Sequence, residues 1–341
     1  PKPSFSTGAS NDANLGYQVS TRGAAQNHQV IYGQTKIGGA IVFDAVSGEN
    51  NKVLHRVIAF AGHEIEEFTT VYFNDEYMTL TTDTDSNGDT YYKPTLATDS
   101  SGNTSTRYNN FVRIYMRKGG SENNTAIAAL ISAGVNWTQD HKLQGSAYLY
   151  LRMVFDADAF PNGVPDMSAL VKGKKVYDPR TSTTAWSSNP ALCVRDYLTN
   201  TSYGLGEDAS SIDDELVQTA ANVCDYYNYP TLTGSARFTI NGSFTTAVTP
   251  AGHITEMLGS MGGLIWYGQG KWRMSAAHYV APTVAFTQRC QSQLGTAAAI
   301  TSTLSKVSSG ALRVITSQRT MLKLPMKPSG SLTITRSATM I

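Results

Sequence analysis

The side chains able to do acid–base or metal chemistry are few and scattered. His55 and the pair His63-Glu64 invite a metal or acid–base site. A zinc site of the H-E-x-x-H kind needs two imidazoles on one helical face and a third ligand. Here the spacing differs, the segment has strand character, and the sequence offers no third ligand, so structural or surface histidines are expected. His253 and His278 stand alone and are read the same way. Asp83-x-Asp85-x-Asn87-Gly88-Asp89 carries alternating oxygen donors and the sixth-position glycine of the first half of a calcium loop. Its twelfth position is Pro94 where the bidentate glutamate belongs, so a polar turn is expected, with a weak calcium site as the alternative. Asp213-Asp214-Glu215 falls at a predicted helix N-terminus, where negative charge complements the dipole. Lys172-Gly173-Lys174-Lys175 reads as a solvated basic turn. No G-x-S-x-G, P-loop or G-x-G-x-x-G is present. The sequence therefore assigns no catalytic, cofactor-binding or metal-binding residue, and predicts neither an enzyme nor a cofactor.

Cys193, Cys224 and Cys290 are odd in number and lack C-x-x-C spacing. Two fall on predicted buried helix faces, which predicts satisfied core thiols; a Cys193–Cys224 disulfide stays open. Those helices are the clearest local structure in the chain. Asn189 is a good N-cap and Pro190 suits the first helical position. The helix should end near Asn200, with Tyr203-Gly204-Leu205-Gly206 as a glycine-permitted turn. Ser211 with Asp214 resembles a capping box opening a second helix, whose apolar face holds Leu216, Val217, Ala220, Val223, Cys224 and Tyr227.

Elsewhere β-structure dominates. Strands are predicted at Gln29–Gly33, Ile37–Phe43, Val53–Ala61, Ile65–Phe73, Phe111–Met116 and Ala147–Phe155, with a short Ala-rich helix over Thr125–Ala133. Asp83–Asn110 is hydrophilic and long, and reads as a surface loop or finger that meets a neighbour. Arg237–Ile240 is predicted as a strand, Asn241-Gly242 as a turn, and Thr249-Pro250 as the start of a helix. Leu264–Tyr267 and Lys271–Met274 should form a hairpin around Gly268-Gln269-Gly270. Scattered tyrosines and tryptophans (Tyr148, Tyr150, Trp266, Tyr267, Trp272) suit cores and subunit interfaces.

Composition agrees with a turn-rich β protein: charged residues make up only 16%, with 29 glycines and 18 tyrosines among 341 residues. Seven of the 27 Lys/Arg lie in residues 287–341, which hold no acid, leaving 20 against all 26 Asp/Glu in residues 1–286, a net of −6. A mildly acidic body does not look like a nucleic-acid binder. No apolar run approaches a membrane span. The start Pro-Lys-Pro reads as a processed product or a piece of a longer chain. The expected organisation is an extended arm over 1–27, a β-rich domain over 28–160 with the surface loop near 83–110, an α+β domain over 161–286 with the helical hairpin 189–227, and a basic C-terminal segment over 287–341.

Several ordered motifs carry a family resemblance. They are Val30-Ile31-Tyr32-Gly33 with Lys36-Ile37-Gly38-Gly39, Leu54-His55 with Ile58-Ala59-Phe60-Ala61-Gly62-His63-Glu64-Ile65, and Val71-Tyr72-Phe73-Asn74-Asp75. Val171 through Arg180 follows, then Trp186-Ser187-Ser188-Asn189-Pro190-Ala191 through Tyr203-Gly204-Leu205-Gly206, then Gly262-Gly263-Leu264 and Gly270-Lys271-Trp272-Arg273. Over residues 28–286 the chain resembles the tip attachment (host specificity) protein J family of lambda-like phages, the siphophage central tail hub. The resemblance implies a multi-domain α+β, β-rich fold with β-barrel-like domains similar to those of contractile-tail baseplate hubs. It implies a homotrimer in the virion, at the distal tip of the tail, joined to distal tail and tube proteins and to other tail-tip proteins. Phage DNA would pass through its lumen without sequence-specific binding, and the bacterial surface would be met by downstream modules absent from this stretch. Thr287–Ile341 departs from the family pattern, which suggests a divergent end or an altered reading frame. The rival readings are a receptor- or glycan-binding tail module, favoured by the 83–110 segment and the tyrosines, and a cell-wall hydrolase, disfavoured by the lack of a convergent acid–base or metal set.

Overall fold

A computed structural model describes residues 26–226 and 236–278, together with the paired backbones of two strands nearer the C-terminus. The expected arm over 1–27, apart from its last two residues, lies outside the described residues, as do Tyr227, Cys290 and most of 287–341.

The strands in order are β1 (Gln29–Tyr32), β2 (Gln34–Gly38), β3 (Ala40–Ser47), β4 (Val53–Ala61), β5 (Glu67–Phe73), β6 (Glu76–Thr84), β7 (Thr90–Thr98), β8 (Thr104–Ser105) and β9 (Val112–Arg117). The short helix α1 (Ala128–Ser132) precedes β10 (Ala147–Val154), β11 (Met167–Lys172), β12 (Lys175–Asp178) and β13 (Thr183–Trp186). Helices α2 (Pro190–Thr199) and α3 (Asp214–Cys224) follow, then β14 (Gly242–Thr245), α4 (Pro250–Gly259), β15 (Leu264–Gly268) and β16 (Lys271–Ser275). Strands β17 (Ser302–Lys306) and β18 (Leu312–Thr316) pair with each other.

The protein is β-rich, with one large antiparallel sheet and few helices. Ten strands join in that sheet, in the order β2-β11-β5-β6-β7-β9-β10-β4-β3 with β8 beside β7. The two edge strands, β2 and β3, are successive in the chain and separated by Gly39 alone. The sheet must therefore curl until its first and last strands meet at one corner. Glycine suits that corner because a Cβ there would come within 2.6 Å of the Ala59 carbonyl oxygen. Curling encloses a core of alternate side chains, including Ile37, Ile58, Phe60, Val71, Phe73, Leu149 and Leu151. Part of the opposite face is covered by α1 and the segment after it, which bury Tyr115, Tyr148, Tyr150, Leu130 and Trp137.

A second core forms where α2, α3 and α4 pack with β14 and the β15–β16 hairpin, burying Leu192, Val194, Tyr197, Val217, Ala221 and Met257. The α2–α3 pair follows the predicted hairpin closely. Asn189 Oδ1 accepts from Ala191 N at 3.1 Å, while its Nδ2 donates to Ala221 O of α3 at 3.0 Å, so the cap also ties the two helices together. Gly204 must be glycine, since a Cβ would lie 1.9 Å from Tyr197 O. β11, which lies beyond the expected division at 160, sits in the large sheet, and β1, which lies before it, pairs with β14.

Three sequence expectations are corrected. The 83–110 segment is largely a paired ribbon and not an open loop: β6 and β7 pair from Tyr77↔Thr98 to Thr84↔Thr90, with turns at Asp85–Asp89, Asp99–Asn103 and Thr106–Phe111. Polar composition misled because this ribbon shows a threonine face to solvent while Tyr91 and Ala97 are buried. Helix α3 is capped by Asp213, whose Oδ1 accepts from Leu216 N at 3.4 Å, and not by Ser211, which lies in a preceding 3-10 turn capped by Asp208. Arg237–Ile240 is not a ladder strand, because Phe238 N donates to Cys224 O and Ile240 N to Ser188 O. The ladder partner of β1 is instead 242–245, with Val30 opposite Phe244.

Candidate functional site

Few of the side chains weighed for chemistry in the sequence are brought together. Among the described residues no group of three or more His, Cys, Asp or Glu is placed to hold a metal ion. His55 lies between Ser47 Oγ at 2.7 Å and Tyr150 OH at 2.8 Å on the sheet. Burial lowers its pKa from 6.5 to about 4, and Arg152 adds to the effect. Asp85 Oδ1 accepts from Asn87 N and Asp89 N, its Oδ2 accepts from Tyr115 OH, and Asp89 accepts from Ala129 N. The calcium-like sequence is thus a hydrogen-bonded turn that docks the β6–β7 tip onto β9 and α1. Asp213 caps α3 and pairs with Arg273 at 2.9 Å, while Asp214 takes a two-point contact from Arg195 at 2.7 and 3.0 Å. Lys172 pairs with Glu67 and Lys175 with Glu64. Cys193 and Cys224 are free and buried, so the open disulfide is absent, and burial raises both thiol pKa values, Cys224 to about 11.

What the fold does assemble is a seam between the two cores, built on β1. Its side chains alternate: Ile31 enters the sheet core, while Val30 and Tyr32 enter the helical core. Its backbone is held from both sides. Gly62 N donates to Gln29 O at 3.0 Å and Lys174 N to Ile31 O at 2.8 Å, while Val30 and Tyr32 lie in register with β14. Ile31 N donates to His63 Nε2 at 2.9 Å, and His63 Nδ1 lies 2.8 Å from Glu64 O. A carbonyl only accepts, so the proton sits on Nδ1 and Nε2 is the acceptor. Burial holds this imidazole neutral, lowering its pKa from 6.5 to about 4. Across the seam, Asp196 Oδ2 of α2 accepts from Tyr32 OH at 2.6 Å and from Tyr203 OH at 2.8 Å. Burial, with Asp196 beside it, raises the Tyr32 pKa well above 10. Trp186 Nε1 donates to Gly33 O at 3.1 Å, and Gly173 fits because a Cβ would strike Ile31 O. Tyr32, Asp196, Tyr203 and Trp186 were not singled out as a group by their sequence, since pairs such as Tyr32 and Asp196 lie 164 residues apart.

The outward surfaces bear on assembly. Among the described residues β3 pairs only with β4, with Val42 and Val46 on it about half exposed, and a register shift at Ile41/Phe43 bends that strand. Among the described residues β15 likewise pairs only with β16, and it exposes Leu264 at 54% and Tyr267 at 59%. Such apolar side chains on strand edges suit burial against another protein. Among the described residues no helix is long and apolar enough to cross a membrane.

No family model matches the chain. A chain from the virion of the native gene transfer agent (GTA) particle aligns at a TM-score of 0.42 and 16% identity, over 94% of this chain and 70% of that one. The chain is 24% identical over 310 residues to the baseplate hub protein pb3 of Escherichia phage T5, a match covering 75% of this chain and 32% of that protein. It thus spans about a third of the length of that curated relative. In sequence, then, this chain is similar to a phage baseplate hub protein.

Proposed function

We propose that this chain is a structural component of a phage tail, the hub of a baseplate or tail tip, and not an enzyme. The observation that carries the reading is the sequence likeness to a baseplate hub protein over three quarters of the chain. The side-chain chemistry supports it: the carboxylates and histidines weighed for catalysis serve as caps, ion pairs and neutral hydrogen-bond partners. In the finer reading the chain is of the tip attachment protein J type and caps the distal end of the tail tube as a homotrimer. It binds tube and tip proteins through its strand edges, and its lumen forms the route of DNA at ejection. It organises the tip complex for host attachment, and the bacterial surface is met by downstream modules. The two cores then act as two rigid bodies fixed at the β1 seam, and function is mechanical. Such an obligate assembly should bury more than about 2,000 Å2 between subunits.

The test is the native mass of the purified protein, imaging of its symmetry, and co-assembly with the tube protein of the same phage. A threefold particle that binds the tube end is expected. A monomer at high concentration that ignores the tube protein overturns the reading.

A further inference from the structure

Arg56, Arg107, Arg117, Arg180, Arg195 and Arg273 are each paired with a carboxylate, whereas Arg113 and Arg152 have no ion pair among the described residues. These two are also neighbours. β9 and β10 run antiparallel with Arg152 directly opposite Arg113, and on the other side of β10 Arg152 stands opposite His55 of β4. Side chains so placed share one face of the sheet with Cβ atoms about 5 Å apart, and like charges there repel. On β7, the pairing of Tyr92 with Ile114 brings Lys93 beside Arg113. One row across four adjacent strands therefore carries Lys93, Arg113, Arg152 and His55.

The charges around the row decide what could bind there. Both arginines are half-buried. Arg113 lies over the Tyr91 ring at 4.7 Å and beside the Tyr115 hydroxyl, which donates to Asp85 Oδ2. Lys93 Nζ donates to Asp83 Oδ2 at 3.0 Å. His55 adds no charge, because Ser47 and Tyr150 hold its two ring nitrogens and burial, with Arg152 beside it, lowers its pKa to about 4. Three cations thus face two carboxylates, and one positive charge is left over. A phosphate dianion, or a nucleic acid laid along the sheet, would meet Asp83 and Asp85 as well as the arginines. A carboxylate brings the single charge that matches, and its two oxygens suit guanidinium N–H groups. Two residues further along the same face, Val53 and Val154 stand opposite each other and are half-buried. Arginine beside apolar side chains on an open sheet face is the make-up of a protein contact, and a free carboxylate would leave those valines uncovered.

We infer that the Arg113–Arg152 pair is a binding site for one carboxylate, the Asp or Glu side chain of a neighbouring protein chain. The first experiment follows the arginine Nε–H signals of the full chain by NMR during titration with sodium acetate, sodium phosphate and sodium chloride at matched ionic strength. Saturable shifts of Arg113 and Arg152 with acetate are expected, at a Kd on the order of 10–100 mM, with phosphate no tighter and chloride without effect. In Arg152→Gln the response of Arg113 to acetate should weaken about fivefold. No saturable shift, an equal response to chloride, tighter binding of phosphate, or an unchanged response in Arg152→Gln overturns the inference. The second experiment asks where the carboxylate comes from, using the Arg113→Gln/Arg152→Gln double variant once a melting curve shows it folded. Loss of self-association in sedimentation identifies a second copy of this chain. Retained self-association with loss of recovery in assembled particles identifies a different protein. A double variant that matches wild type in both overturns the assignment to a partner side chain. Recovery in particles rests on the phage-tail reading and the acetate titration does not, so failure of the one is distinguishable from failure of the other.

Discussion

The curled sheet and the helical unit beside it reach stability by different routes. In the sheet, Ile58, Phe60, Leu149 and Leu151 meet across paired strands whose ladders satisfy the backbone over long runs. No single side chain sets the register there, because each strand has two faces and a slip of one residue would turn every apolar group outward. The helical unit has shorter elements and relies on named polar contacts. Asn189 joins the start of α2 to α3, Asp214 holds Arg195, and Asp213 serves both the α3 N-terminus and Arg273 of β16. Distributed packing should tolerate conservative change, whereas a unit held by individual bonds should have sharp points of failure.

Truncating one buried leucine on each side tests that contrast most strongly. Leu149→Ala in the sheet and Leu192→Ala in α2 should each cost about 2–5 kcal/mol, read from denaturant midpoints. If β1 couples the cores, each variant lowers one shared transition; two separate transitions would break the picture. Acid is the next largest lever. The folded-state pKa of His63 is about 4 against 6.5 when unexposed groups are freed by unfolding, so between those values the unfolded chain binds a proton that the folded one refuses. Stability is complete above pH 6.5 and falls as the pH drops to 4, by on the order of 3 kcal/mol from this residue. Melting curves across that range should show the slope, and His63→Gln should reduce it; an unchanged slope would put the acid sensitivity elsewhere. A smaller effect, about 1–2 kcal/mol, is expected for Asn189→Ala, from the lost cap and the lost tie to Ala221. Smallest of all is Lys93→Ala, which removes an exposed pair with Asp83 at 3.0 Å and should leave the melting temperature unchanged. A clear drop there would mean that the β6–β7 ribbon also depends on individual bonds.

The parts legible in the sequence are those written in local signals. Asn189-Pro190, Gly206 and the Gly268-Gln269-Gly270 turn marked their elements because caps and positive φ angles act over a few residues. The Ala147–Val154 strand was legible from its apolar run. The β6–β7 ribbon was not, since threonine on a half-exposed strand and threonine in a loop look alike without the buried partner of Tyr91. Asp213 outcompeted Ser211 as the cap because Arg273, sixty residues on, holds its carboxylate in place. The seam was invisible for the same reason: Tyr32, His63, Lys174 and Asp196 come from four separate stretches, and only the folded chain brings them together.

Strand β1 has a mechanical consequence. Its residues serve two cores in strict alternation, so sliding it by one position would drive Ile31 into the helical side and Val30 and Tyr32 into the sheet. Small displacements of one body against the other therefore have no intermediate setting at this joint: it either keeps its tooth or skips two residues. A slip of one residue at this joint therefore disrupts both cores together.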